Sequence, residues 1–441
     1  MIISHYGHRL VRVYNRRNGT EHDARSFFDE VLFPVIYGTK EDEPFLQDAG
    51  NTPFGQADKL AKRIPLTPER RREVLATFHT KMEAAQPTGN DVMFGGSALE
   101  ATASTSGLLT DLELPFRAED AYASWLGAAL AIGVQGGWCL LVDDEDILYS
   151  TFQGWQVYRR FLRETPGFKA RQINTWNAHW LVHVLSHRSS TYPSTITAPE
   201  KENASIATLG WPQVLFALSA RFDQPQTAYV YKLSQQNSTI GFVQLHLPQV
   251  ASEVDWFDRL FSNEAALSRD AMMSLYVAHY GFDEACQMGV VGLRALEPKG
   301  MRAFYPSGDK SRMPDPNKTS IPLPIYQTWI VAMLEKDGKD LYRQAVAVAD
   351  ALLDFEDRAV GGKTDRRRAL ESLLEQKSRR TFIEKVTAVV EKEPEMFPVL
   401  DNLARATMPE RMSPEQFRLF LTLIKFQVAG RRYQRQQQAI A

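Results

Sequence analysis

Trp125-Leu126-Gly127-Ala128-Ala129-Leu130-Ala131-Ile132-Gly133-Val134-Gln135-Gly136-Gly137-Trp138-Cys139-Leu140-Leu141-Val142 runs for eighteen residues without a charge, the lower limit for a membrane span. Gly133, Gln135, Gly136 and Gly137 interrupt it, and Asp143-Asp144-Glu145-Asp146 closes it abruptly. A buried helix over Trp125–Ile132, a glycine turn and a buried strand over Trp138–Val142 account for the run better than a span does. The expectation is a chain with no membrane partner.

Composition agrees. The chain is 441 residues long, 44% hydrophobic and 24% charged, which is ordinary for globular proteins and excludes wholesale disorder. At about 150 residues per domain, two to three domains are expected. Lys and Arg number 51 against 53 Asp and Glu, a net charge of −2, so any nucleic-acid surface must come from local segregation of charge. Cys139 and Cys286, the two cysteines, cannot build a disulfide framework or a thiolate zinc site and read as reduced core residues of a cytoplasmic protein. The start, Met1-Ile2-Ile3-Ser4-His5-Tyr6, lacks a signal peptide's basic and apolar regions.

Outward from the central run, the part before 306 is mixed. Arg9–Tyr14 alternates like a strand, whereas Ser26–Phe33 and Pro68–Met82 have helical spacing. Thr227–Leu233 and Thr239–Leu247 form a candidate hairpin around Ser-Gln-Gln-Asn-Ser, and helices resume over Glu253–Leu296. Pro306–Pro324 holds five prolines and blocks both helix and central strand. Beyond it, Tyr326–Leu334, Leu341–Phe355, Asp365–Arg380, Phe382–Glu391 and Pro414–Val428 are apolar at three-to-four spacing. Ser413-Pro414-Glu415-Gln416 is a capping box with proline at the first helical position. The pattern predicts an α+β fold: a mixed α/β N-terminal body over 1–305, a linker over 306–324, and an antiparallel helical bundle over 325–441.

No set of residues makes a convincing catalytic or metal centre, and no cofactor is expected. Asp143 and Asp146 follow a buried strand, where metal-binding carboxylates occur, yet an acidic run ahead of a helix more often favours the helix N-terminus. His179, His183 and His187 share a helix face at i, i+4, i+8, without the glutamate that metalloprotease helices carry. The spacing of Pro314-Asp315 and Asp337-Gly338-Lys339 imitates a nuclease motif outside the strand context that its chemistry needs. An enzyme, either a metal-dependent nuclease or a hydrolase using Asp143 or Asp146 with a histidine from the His179 helix, is therefore the alternative. A protein-binding helical scaffold is a third class.

Two other features point to nucleic acid. Gln86–Thr110 is long, almost uncharged and rich in small residues, including Asn90 and Phe94-Gly95-Gly96-Ser97, so its backbone can approach a phosphate or shallow groove closely. Lys363, Arg366, Arg367, Arg368, Lys377, Arg379, Arg380 and Lys385 cluster within 23 residues, with Arg431, Arg432 and Arg435 at the tail. Cations at the start of the helix near Lys363 oppose the macrodipole, and a phosphate backbone is their simplest partner.

With its glycine-rich segment, proline-rich boundary and basic helical bundle, the chain resembles the large subunit of a type I CRISPR surveillance complex (Cascade). Ile147-Leu148-Tyr149, Gly154-Trp155-Gln156-Val157-Tyr158-Arg159 and Thr175-Trp176-Asn177 carry the local likeness. The resemblance implies a non-enzymatic, DNA-binding subunit of an RNA-guided antiviral effector. Asn90, Gly95, Gly96 and Ser97 would read the protospacer-adjacent motif, a task suited to the shallow minor groove. Arg366, Arg367, Arg368, Lys377 and Arg380 would contact the DNA backbone. Implied partners are a guide-RNA ribonucleoprotein with its backbone subunits, target double-stranded DNA, and a helicase–nuclease or a transposition factor. Tyr158, Arg159, Trp176 and Asn177 read as core residues.

Overall fold

A computed structural model describes residues 2–36, 68–83, 117–164, 172–187, 206–232, 238–261, 268–306, 313–315, 322–334, 338–357 and 362–440. The chain divides into two compact units. Unit 1 comprises Met1–Leu247 with Phe282–Val290, and unit 2 comprises Pro248–Gly281 with Val291–Ala441. The division falls at Leu247 and not at the proline-rich segment, because residues after the hairpin cluster with the C-terminal helices.

Up to residue 247, the described helices of unit 1 are α1 (Ile2–Asn18), α2 (Ala24–Phe27), α3 (Phe33–Ile36), α4 (Pro68–Glu83), α5 (Ala118–Ala129), α6 (Glu145–Glu164), α7 (Ile173–His187) and α8 (Trp211–Ser219). A π-helical turn, Phe28–Leu32, joins α2 to α3. The strands are β1 (Ile132–Val134), β2 (Trp138–Val142), β3 (Gln226–Lys232) and β4 (Ser238–Leu245), and β5 (Val290–Val291) begins at the last residue of the unit. They lie in chain order, with β1–β2, β2–β3 and β3–β4 antiparallel.

The central run thus becomes α5, then β1, then a turn, then β2. Gly136 (φ 89°) and Gly137 (φ 77°) occupy the left-handed region that the β1–β2 turn requires. All five residues of β2 are buried, which explains why the strand reads as an unbroken apolar run. No helix among the described residues is long and apolar enough to cross a membrane. The predicted hairpin is β3–β4, with Tyr229 opposite Phe242.

Arg9–Tyr14 corrects a sequence expectation. It lies inside α1, where Ile3, Tyr6, Leu10 and Val13 form a buried stripe at three-to-four spacing. Six residues were too few to separate this period from strand alternation. α1 packs backbone to backbone on α5: a Cβ on Gly7 would lie 1.8 Å from the Ala123 carbonyl oxygen, and one on Gly127 would lie 2.0 Å from that of Ile3.

The segments 147–159 and 175–177 contribute to the core of unit 1. Trp155 and Trp176 are fully buried, and Trp176 stacks on Tyr158 at 4.9 Å. The Asn177 amide donates to the carbonyls of Ala129 (2.7 Å) and Ala131 (2.9 Å), and its oxygen accepts from the Trp155 indole at 3.1 Å. The buried Arg159 donates to the Val35 carbonyl at 2.8 Å. These polar groups fix α5, α6 and α7 at one register because each would be costly to leave unmade.

In unit 2 the chain forms most of α9 (Leu247–Phe261), α10 (Arg269–Leu275), α12 (Pro322–Met333), α13 (Gly338–Asp357), α14 (Lys363–Leu374), α15 (Arg379–Lys392), α16 (Phe397–Ala406) and α17 (Pro414–Ile440); the short α11 (Phe282–Gln287) belongs to unit 1. The α+β class with a helical C-terminal region is as the sequence predicts. Leu341, Ala345, Val348, Leu352 and Phe355 of α13 are buried, as are Leu370, Leu373 and Leu374 of α14. The capping box is complete: the Ser413 hydroxyl accepts from the Gln416 N–H (3.2 Å), and the Gln416 side chain accepts from the Ser413 N–H (2.8 Å). The stretch expected as one helix over Asp365–Arg380 is broken, because Ser378 caps α15 by accepting from the Thr381 N–H. Nearly every side chain from Phe417 to Ala429 on α17 is buried, which makes it the central helix of the unit.

Candidate nucleic-acid interface

α14 and α15 each bury one apolar stripe and turn cations outward. On α14 the inward residues are Leu370, Leu373 and Leu374; on α15 they are Phe382, Val386 and Val389. Helical spacing therefore leaves Arg367 and Arg368 exposed on the first helix and Arg380 on the second, with Lys377 exposed between them and Arg366 half-buried. Between 363 and 392 the sequence holds nine basic and five acidic residues.

The ion pairs of these cations are local. Arg367 reaches Glu371 at 3.0 Å, Arg368 reaches Asp365 at 3.7 Å, and Arg380 reaches Glu384 at 3.2 Å, each within one turn of its own helix. Such pairs are worth about 0.3–0.5 kcal/mol and hold the guanidinium loosely. Arg379 differs. It donates to the carbonyls of Thr407 (2.6 Å) and Met412, and its guanidinium lies 5.5 Å from the Phe417 ring centroid. It ties α15 to the segment before α17 and belongs to the fold.

The tail arginines belong to the fold as well. Arg431 donates to both oxygens of Asp350 (2.7 and 2.8 Å), Arg432 to Glu356 (2.5 Å), and Arg435 to Asp354 (2.8 Å) and Asp357 (3.2 Å). All of these acids lie on α13, so the pairs tie α17 to a helix that does not neighbour it in sequence. Asp350, Asp354 and Asp357 lie on the face of α13 away from its apolar stripe, whereas Glu356 is buried beside that stripe.

The acids and histidines of the enzyme alternative have separate partners. Asp143 accepts from Arg9 at 2.9 Å and lies 3.1 Å from His5. Asp144 caps α6 by accepting from the N–H groups of Asp146 and Ile147, both at 3.0 Å. Glu145 pairs with Arg16, and Asp146 with Arg17 and Arg221. Those arginines hold both carboxyls below their usual range. His179 bonds the Ala207 carbonyl at 2.7 Å, and burial lowers its pKa. Among the described residues no three His, Cys, Asp or Glu side chains converge on a metal position.

One bridge in unit 1 had no sequence signal, since its members lie far apart along the chain. His79 of α4 contacts the Tyr122 hydroxyl through Nδ1 (2.6 Å) and Asp29 of the π-helical turn through Nε2 (3.2 Å). Burial pushes the Tyr122 phenol up to about 12. With Phe78 stacked on Phe28 at 5.0 Å, the bridge pins α4 to the aromatic core. Asn90, Gly95, Gly96 and Ser97, the expected motif readers, lie outside the described residues.

No family model, curated protein or solved structure matches the chain.

Proposed function

We propose that this chain is the DNA-binding large subunit of an RNA-guided CRISPR effector complex of the Cascade type, acting in the cytoplasm in antiviral defence. The observation that carries the reading is the cation surface of α14 and α15: Arg367, Arg368, Lys377 and Arg380 are exposed, and among the described residues the arginines pair with acids of their own helix. A phosphate backbone can take over such cations at little cost, because the pairs it displaces are weak. In this reading unit 2 holds the target or displaced strand without reading sequence, guide pairing supplies the long specificity, and the segment containing Asn90 and Gly95–Ser97 reads the short motif. The partners are a guide-RNA ribonucleoprotein with repeated backbone subunits, target duplex DNA, and a downstream helicase–nuclease or transposition factor.

Affinity purification of the tagged chain from its native host tests the assembly directly. Retention of a guide RNA and a repeated backbone protein is the expected result. Recovery of the chain with neither contradicts the proposal, and a bound metal with turnover favours the enzyme alternative. Within a purified complex, bulky replacements at Gly95 and Gly96 should weaken binding to motif-bearing duplex while assembly persists.

A further inference from the structure

A cavity of about 470 Å³ in unit 2 lies against one face of α9. Gln249, Ser252 and Trp256 recur there at i, i+3 and i+7 and so point the same way. Opposite them are Leu293 and Arg294, and Met333 closes the end of α12. The volume is that of a small-molecule site and large enough for a mononucleotide.

The chemistry of the walls is specific. Trp256 is half-buried and offers an indole, with the Arg259 guanidinium 5.2 Å from its centroid. Leu293 and Met333 supply apolar surface, and the Leu293 backbone is fixed by the Trp329 indole, which donates to its carbonyl at 2.8 Å. The Ser252 hydroxyl donates to the Gln249 carbonyl at 2.7 Å, which leaves its oxygen free to accept. The exposed Gln249 side chain offers both a donor and an acceptor.

Arg294 completes the set. Its Nη2 donates to both oxygens of Glu415, each at 2.8 Å, and Glu415 sits in the first turn of α17 beside the capping box. One nitrogen thus anchors the side chain, while Nη1 and Nε have no partner among the described residues and can meet an anion. A flat apolar body, a hydrogen-bonding edge and a negative group are together the features of a nucleotide.

We propose that this cavity binds a nucleobase with its attached phosphate: the base stacks on Trp256, Gln249 and Ser252 meet its edge, and Arg294 takes the phosphate. The source is either a single DNA strand held by unit 2 or a free mononucleotide. The strand form rests on the nucleic-acid reading above, whereas the mononucleotide form does not.

Fluorescence anisotropy with a labelled single-stranded dA12 and calorimetry with dAMP test it, on wild type, Trp256→Ala, Trp256→Phe and Ser252→Leu, with melting curves to establish folding. Base–aromatic stacking predicts a loss on the order of tenfold in Trp256→Ala, partial recovery in Trp256→Phe, and a comparable loss in Ser252→Leu, which fills the cavity and keeps its wall. The salt dependence of binding should hardly change in Trp256→Ala, because no phosphate contact is removed. Loss for dA12 assigns the strand as source, and loss for dAMP alone assigns the free nucleotide. Folded Trp256→Ala and Ser252→Leu variants that keep wild-type affinity for both ligands, or a wild type that binds neither, overturn the proposal. If instead α14 and α15 variants leave DNA binding untouched while Trp256→Ala still loses dAMP, the DNA reading fails and the nucleotide site stands.

Discussion

Arg431, Arg432 and Arg435 on α17 and Arg367, Arg368 and Arg380 on α14 and α15 look alike in sequence and differ in where their counter-charges come from. The α17 set draws acids from another helix, α13, in contacts of 2.5–3.2 Å, and Glu356 is almost fully buried beneath Arg432. The α14–α15 set draws acids from its own turn, and those side chains stand mostly in solvent. A cross-helix pair disappears when the tertiary structure does, so it stabilises the fold. A same-turn pair survives in the isolated helix and adds little, so the cation remains available to a partner.

Arg432→Ala should have the largest effect. It strands the Glu356 carboxylate in a buried position, which typically costs about 3–5 kcal/mol. The melting temperature should fall sharply, while the salt dependence of DNA binding by the remaining folded protein stays at the wild-type value. A small melting change would show that Glu356 finds other solvation and that the contrast is overdrawn.

Lys425 sharpens the comparison as a cation inside α17. Burial lowers its ammonium from 10.5 to about 8, against the opposing charge of Glu375. Between about pH 8 and 10.5 the unfolded chain binds the extra proton, so stability rises with pH across that window. Below pH 8 both states are protonated and the burial penalty is constant. Lys425→Met should therefore raise stability at pH 7 and abolish the rise above pH 8. Thermal melts from pH 7 to 10 decide this, and an unchanged rise in the variant would contradict it.

In unit 1 the acidic run supplies an intermediate case. Asp143→Asn with Asp146→Asn removes exposed pairs to α1 and Arg221, at a cost of about 1 kcal/mol or less. Because Arg17 and Arg221 hold Asp146 below its usual 3.8, its contribution is present above that pH and fades as pH falls through the lowered value. The melting difference between wild type and the double variant should thus narrow on acidification below about pH 4. A magnesium-dependent cleavage activity lost in the double variant would instead restore the enzyme alternative.

Arg368→Ala should have the smallest effect on stability, within about 0.5 kcal/mol, since its partner Asp365 is exposed and three residues away.

The sequence made some of this architecture legible and hid the rest for physical reasons. The glycines after Gly133 reveal the β1–β2 turn because left-handed backbone has few other occupants, and Ser413 with Gln416 reveals the start of α17 because a capping box is local chemistry. Over Arg9–Tyr14 the sequence alternates like a strand because the buried stripe of α1 extends back to Ile3, beyond so short a window. α16 is too short to show a clear period, although Pro398 stands in its first turn and Leu400 and Leu403 are buried. The sites were harder. Charge clustering between 363 and 385 was visible, but only tertiary structure separates Arg379, bound to two carbonyls, from Arg380 beside it. The Trp256–Arg294 cavity and the Asp29–His79–Tyr122 bridge join residues too far apart in sequence to show any spacing.

The proposed difference between α14–α15 and α17 is that the former present cations to a nucleic-acid backbone. It is tested by measuring DNA affinity across a series of salt concentrations for wild type, Lys377→Ala with Arg380→Ala, and Arg431→Ala with Arg435→Ala. Loss of two phosphate contacts should flatten the slope of log K against log salt by about 1.5 in the first pair, on every DNA sequence alike, and leave it unchanged in the second. A slope that stays at the wild-type value in the first pair, or flattens equally in the second, contradicts the account.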